Sequence, residues 1–365
     1  MNEQVSERES RQTHCSLYMA LLIVCLLHLP LSVFPVGRDQ GVWATAGMAI
    51  NRGSIFFKDY LHFNLPGLAF SYALAYKLFD DPRTATMVLS LAGSIMIIIG
   101  MYILMQKAVG NVAASWSVLL FAVLWPMRMN FWTIAQKDFM AMFGVMLGTG
   151  LFAQAESESR WRNAFIYLSG IFAGLSAMYK PLFAFAGLLM ALILAGKFFL
   201  PPDSIFNKTK NQWAIFLREL TLFACGVLTI ALTFIVYLVK GNAFQNFYHG
   251  IFIVAPMYSS ISNRTFLEML INIALRSSII PIQLGWLPYL IVWTPIMIKG
   301  AIILAKRAKV NTCAWLGIPF LTAIFTYFVQ KKAISYHSCP WQICEFMIAG
   351  CFFEWCFAYA KTSSL

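Results

Sequence analysis

The fold class predicted for this chain is an all-α, polytopic membrane protein, and three observations predict it. The sequence is 60% hydrophobic and only 12% charged, against roughly 45–50% and about 25% in a soluble protein. Its mean hydropathy is +0.70, and its apolar residues fall in runs long enough to cross hydrocarbon. Finally, 32 Phe, 14 Tyr and 11 Trp supply the aromatic load that suits lipid-facing and interfacial positions.

Taken in order, residues 1–16 are polar and read as a cytoplasmic tail. The apolar run 17–36 can span a bilayer and has no small-residue cleavage site, so it reads as an uncleaved first span. Further runs cover 84–105, 112–127, 139–154, 163–179, 181–199, 219–239, 287–305 and 313–329. A last one at 340–359 carries Glu345 and Glu354 and brings the count to about ten. Residues 37–65 read as an outer loop. The stretch 66–79, opened by Pro66 and carrying Lys77, is too short to span and reads as a helix at the outer interface. The organisation expected is therefore a tail at 1–16 and one membrane domain over 17–365. Within that domain, 37–83 holds the first outer catalytic loop and its interfacial helix.

Orientation follows from basic residues. The densest basic stretches, 197–218 and 306–309, belong in the cytoplasm by the positive-inside rule. Counting alternately from them puts 37–65, 127–138, 240–286 and 330–339 on the opposite, outer face. Asp39 and Asp138 then share that face.

The net charge of +12, 27 basic against 15 acidic residues, sits in short loops between apolar runs. Cytoplasmic loops beside anionic lipid account for it, and no nucleic-acid partner is implied. The eight Cys lie mostly within apolar runs and without metal-ligand spacing; only Cys339 and Cys344 suggest a pair in an oxidising compartment.

Several polar residues stand at the outer boundary, each with a bland reading beside a chemical one. Asp39 follows the first span by three residues, where a carboxylate stays ionised cheaply yet reaches a lipid-linked group; it is equally placed to pair with Arg38. Asp59 and His62, three apart, either orient a substrate or belong to an ordinary polar loop. Asp138 opens a span and either caps that helix electrostatically or acts as a second carboxylate near Asp39, with Arg128 and Lys137 as neighbouring cations. Lys180 lies between two apolar runs just before Pro181, where a charge snorkels or finds an anion. Lys331, Lys332, Tyr336 and His337 form either an interface belt or a phosphate contact.

These segments in this order resemble a known class. GRDQGVWA follows the first span, then come KDYLHFNLPGLAFSYALAYKLFDDPRTA, QKDF opening a span, GIFAGLSAMYKP, and QKKAISYH before the last span. The set resembles GT-C type glycosyltransferases, nearest to the bacterial polyprenyl-phosphate-sugar-dependent RgtA/B/C/D-like group. That group is related to protein O-mannosyltransferases and to the lipid A aminoarabinose transferase. The resemblance implies transfer of a sugar, with inversion, from a polyprenyl-phosphate carrier to a glycan, lipid or protein acceptor on the outer face of a bacterial inner membrane.

On that resemblance Asp39 matches the first-loop acidic residue that activates the acceptor, and Asp138 the second outer acidic residue. The group's Asp-Glu pair and double proline stand here as Asp39-Gln40 and Leu65-Pro66, which departs from the O-mannosyltransferases proper. Such enzymes commonly carry a further C-terminal portion, whereas this sequence ends near its tenth span and is expected to be short or truncated.

The chemistry agrees with the resemblance. A hydroxyl is a poor nucleophile and needs a carboxylate base, while a departing polyprenyl phosphate needs cations. Lys180, Lys331, Lys332, His337 and Arg128 are the outer-face groups available for it, with Asp59, His62 and Tyr336 orienting substrate. No nicotinamide, flavin or haem is implied. A divalent cation between the two carboxylates stays open, with an incomplete ligand set. The competing reading, a secondary transporter or flippase, calls for internal repeats and midspan polar residues; the sequence has no repeat, and its acidic residues cluster at helix ends.

Overall fold

The computed structural model describes residues 2–60, 62–128, 134–155, 160–199, 212–260, 264–276, 286–307, 310–332 and 335–363. Within them regular structure is helical, apart from one bridge between Phe56 and Tyr60. Helix α1, Asn2–His28, runs into a 3-10 turn at Leu29–Val33 where Pro30 ends the α-helical hydrogen bonding. The polar stretch expected as a tail is thus part of the first helix.

The next segment differs from expectation. Residues 37–65 are not simply a loop, because Arg38–Asn51 form helix α2. Its buried face is small and mixed (Gln40, Trp43, Ala44, Ala46, Gly47), so no apolar stripe announced it. Helix α3, Gly67–Tyr76, falls where the interfacial helix is expected and starts after Pro66. Ten residues rise about 15 Å, too little to cross a bilayer. It wedges between neighbours: a Cβ on Gly47 would lie 2.6 Å from that of Tyr72, and one on Gly67 would lie 2.6 Å from the Met178 carbonyl oxygen.

Then come α4 (Pro82–Ala108), α5 (Asn111–Arg128), α6 (Lys137–Gln154), α7 (Arg162–Tyr179), α8 (Ala184–Phe199) and α9 (Gln212–Lys240). The expected outer loop 240–286 also contains helices: α10 (Phe244–Tyr248), a π-helical turn at His249–Val254, α11 (Ala255–Ser260) and α12 (Phe266–Arg276). Helices α13 (Trp286–Arg307), α14 (Val310–Gln330) and α15 (Cys339–Ser363) complete the chain.

Each of the ten apolar runs falls on a helix, but fewer than ten meet the length and composition of a span. Among the described residues, four stretches are long and apolar enough to cross a membrane by length and composition: Cys15–Val33, Pro82–Ala108, Trp213–Lys240 and Tyr336–Ala360. Helices α5, α6 and α7 have 18 residues and α8 has 16, so each rises about 27 Å or less, short of a hydrocarbon layer about 30 Å thick. The protein is an all-α membrane protein.

Helix pairs close on small residues, as expected where lipid leaves little hydrophobic drive between helices. Gly100 of α4 sits against the Met146–Leu147 backbone of α6, and Gly170 of α7 and Gly226 of α9 approach each other's backbone. Inside the bundle, buried His28 donates from Nδ1 to the Val24 carbonyl at 2.7 Å, which leaves Nε2 to accept from Ser90 and Ser94 at 3.4 and 3.3 Å. That polar clamp joins α1 to α4.

The suggested Cys339–Cys344 pair is not formed; both are buried free thiols on α15. Five residues apart on one helix, their side chains point about 140° away from each other.

Candidate active site

The first turn of α2 and the segment leading into α6 are stitched together. Buried Gln40 donates from Nε2 to the Ile134 carbonyl at 2.7 Å, and Gln136 Nε2 approaches Asp39 Oδ2 at 3.5 Å. The motifs GRDQ and AQKD, nearly a hundred residues apart, therefore form one wall. Asp39, in the first turn of α2 and 28% exposed, faces a cavity of about 510 Å³. Its contact with Arg38 is long, 4.0 Å, and that arginine is exposed; solvent screening leaves such a pair weak.

The cavity is cationic and aromatic. Lys137, Lys180 and Lys332 line it, with His62, Asn64, Tyr336 and His337. Lys137 donates to Asn64 Oδ1 at 2.8 Å and lies 5.4 Å from the centroid of the Trp43 ring. Burial, then the nearby Lys180 charge, pushes its ammonium down to about 7, with Asp138 and Asp39 opposing. Lys332 sits 3.4 Å from the centroid of the Tyr258 ring, and its pKa is lowered by partial burial and then by Lys180. Trp43, His62, Phe63 and Tyr258 make a run of touching rings along one side, with centroids 4.8, 4.9 and 4.5 Å apart in sequence.

His62 is held as an acceptor: its Nδ1 receives the Asn64 N–H at 3.0 Å. Burial, followed by Lys137, pushes it down to about 4, so it is neutral at pH 7.

Asp138 is fully buried and does not line the cavity. Both its oxygens accept from Lys180 Nζ at 2.9 Å, and Gln330 Nε2 lies 3.4 Å from Oδ1. Lys180 also donates to Gln330 Oε1. It stands at the junction of α7 and α8, where Pro181 starts a 3-10 turn. Burial lowers the pKa of Lys180 while Asp138 raises it. A buried carboxylate and ammonium must pair, because either one alone in this setting is costly. Asp138 thus keeps its place in the first turn of α6, with its carboxylate held by Lys180 and Gln330.

Besides Asp138, three expected residues stay off the cavity wall. Lys331 follows the end of α14 with φ +49°, its side chain exposed; its N–H bonds Phe328 O, and its carbonyl accepts from Arg264 N at 3.2 Å. Asp59 is exposed and accepts the Ile55 N–H at 2.7 Å, which makes it a turn residue. Arg128, half-buried at the end of α5, is absent from the lining. Sequence reasoning did not mark Trp43, Phe63, Tyr258 or Gln136; the usable signal was bulky aromatics inside polar segments between the apolar runs.

Among the described residues no group of three His, Cys, Asp or Glu converges in a way that could hold a metal ion. With both Asp138 oxygens committed to Lys180, the donor set around Asp39 does not fit a divalent cation shared by the two carboxylates.

No protein-family model matches the chain, and no curated protein sequence does. Its fold is shared with solved structures, two of which hold a lipid phosphate. It is similar to ArnT from Cupriavidus metallidurans bound to undecaprenyl phosphate, with TM-score 0.64 and 14% identity over 94% of this chain and 60% of that one. Apo ArnT gives TM-score 0.62 and 16% identity with the same coverage. The archaeal oligosaccharyltransferase AglB from Archaeoglobus fulgidus, in complex with an inhibitory peptide and a dolichol-phosphate, gives TM-score 0.53 and 13% identity over 95% of this chain and 50% of that one. The chain thus spans about 60% or less of the length of these structures. At such identities the likeness is one of fold.

Proposed function

We propose that this chain is a membrane glycosyltransferase that takes a hexose or pentose from a polyprenyl-phosphate carrier and transfers it, with inversion, to a hydroxyl-bearing glycan, lipid or protein acceptor. The observation that carries this reading is Asp39: a half-buried carboxylate facing a cavity that three lysines, Lys137, Lys180 and Lys332, also line. The resemblance of the ordered outer motifs and the fold shared with lipid-phosphate-bound ArnT and AglB support it.

In the proposed reaction the Asp39 carboxylate takes the acceptor hydroxyl proton as the oxygen attacks the anomeric carbon. The bond from that carbon to the phosphate oxygen breaks, and its electron pair leaves on polyprenyl phosphate. A base in hydrogen-bond reach contributes about 10²–10⁴-fold. Lys137, Lys180 and Lys332 offset the charge on the leaving phosphate, and Asp138 with Gln330 holds Lys180 in place. Neutral His62, Asn64 and Tyr336 orient sugar hydroxyls, and His337 completes the wall. We place the cavity on the non-cytoplasmic face of a bacterial inner membrane, with the shorter helices completing about ten crossings by local thinning of the bilayer and snorkelling of flanking residues.

The test is transfer in proteoliposomes from a defined undecaprenyl-phosphate sugar to extracted envelope acceptors, wild type against Asp39→Asn. Loss of transfer with intact donor binding supports the assignment; unchanged transfer removes it.

A further inference from the structure

Helix α12 stands beside the cavity rim, and the proposed reaction does not use it. A capping box starts it: Glu268 N–H donates to Thr265 Oγ1 at 3.3 Å, and Thr265 N–H donates to Glu268 Oε2 at 2.9 Å. Its protein-facing side is Met269, buried at 1% exposure, whose carbonyl accepts from Tyr327 of α14 at 3.2 Å. A different arc is open. Phe266, Leu267, Leu270 and Ile271 are 67, 65, 39 and 47% exposed, and at 3.6 residues per turn they cover about 140° of the helix. Glu268 lies outside that arc, paired with Arg264 at 3.6 Å, where both side chains reach water.

This apolar arc continues an exposed apolar surface of α14. Phe266 stacks on Phe328 of α14 at 5.1 Å, and α14 exposes Leu321, Ile324 and Val329. Val329 also lines the cavity. In water an arc of four large apolar side chains is an aggregation liability. At the boundary between headgroups and acyl chains it is the face of an in-plane amphipathic helix.

We infer that α12 is a membrane-surface helix, its Phe266–Leu267–Leu270–Ile271 face seated in the bilayer interface on the cavity side. The occupant of the face is the lipid surface itself. Because Arg264 N–H bonds the Lys331 carbonyl and Tyr327 bonds Met269, the seated helix holds the end of α14 and the cavity rim at membrane level. This rests on the membrane character of the protein and not on its being a transferase, so either reading can fail alone.

The experiment uses the wild-type protein in phosphatidylcholine vesicles. It is photolabelled by a phospholipid with a diazirine high on its acyl chain and, separately, by a water-soluble diazirine, with sites read by mass spectrometry. Lipid-borne label on Leu267, Leu270 and Ile271, with aqueous label on Arg264 and Glu268, is the expected pattern. Leu270→Asp, on the exposed face, lowers lipid-borne labelling at Leu267 several-fold while labelling of α9 is unchanged. Aqueous label across the whole arc overturns the inference. So does protection from both reagents, which would mean that a second copy or another protein covers the face.

Discussion

Two buried ion pairs in this protein have similar ingredients and different surroundings. Arg162 at the start of α7 pairs with buried Glu219 of α9, and Lys180 pairs with buried Asp138. The first pair sits where α7 and α9 pack together, and it fastens them. The second opens onto a cavity of about 510 Å³ with two more lysines, a carboxylate and a wall of rings. Burial of charge is therefore not what marks the site. Convergence on a space large enough for a ligand is.

The sharpest way to break that comparison is at Asp39. Asp39→Asn lowers transfer by about 10²–10⁴-fold, measured as product formed in proteoliposomes, with no change in thermal unfolding. A variant with near-normal turnover would leave the cavity no more catalytic than the Arg162–Glu219 pair.

Next come the pairs themselves. Lys180→Ala leaves Asp138 buried and uncompensated, at about 3–5 kcal/mol, and also weakens donor binding. Lys180→Ala with Asp138→Asn recovers much of the stability but not the binding. Glu219→Ala costs about 1–2 kcal/mol, less because the Arg162 side chain is 35% exposed, and leaves donor affinity unchanged. Thermal unfolding and donor titration on all three variants separate a fastening pair from a site pair.

A smaller effect is expected with pH. Lys137, pushed down to about 7 by burial, loses its charge as pH rises through that value. Affinity for a phosphodiester donor, which does not itself titrate there, falls above about pH 7, and Lys137→Gln flattens the profile. Folding stability runs in the opposite sense. Between about 7 and the ordinary lysine range the unfolded chain holds a proton that the folded chain lacks, so stability rises with pH. Smallest of all, Lys331→Ala, off the cavity wall, changes donor affinity by less than about twofold, in line with the weak effect of a surface charge.

Much of the architecture was legible. Long apolar runs mark helices because lipid demands that each backbone N–H find a partner within its own segment, and every expected run is helical. Pro66 and Pro181 marked boundaries for the same reason that proline lacks a donor. Helix α2 was not legible: its buried positions 40, 43, 44 and 47 keep helical spacing, but Gln, Ala and Gly among them leave no apolar stripe. Nor was the number of crossings, since 16- to 18-residue helices lie at the edge of bilayer thickness.

For the site, residue type and boundary position singled out Asp39, His62, Lys180, Lys332, Tyr336 and His337, and all six line one cavity. Residue type alone could not separate them from Lys331 and Asp59, which share the same boundary. By itself the sequence determined that this chain lives in a membrane as a helical bundle and that the segments joining its apolar runs are rich in ionisable groups. Only the tertiary structure decided that Asp138 is spent on Lys180, that Gln40 and Gln136 join two distant motifs, and that Lys331 points away. Those outcomes depend on side-chain direction and on which segments meet, and neither is encoded in spacing along a chain.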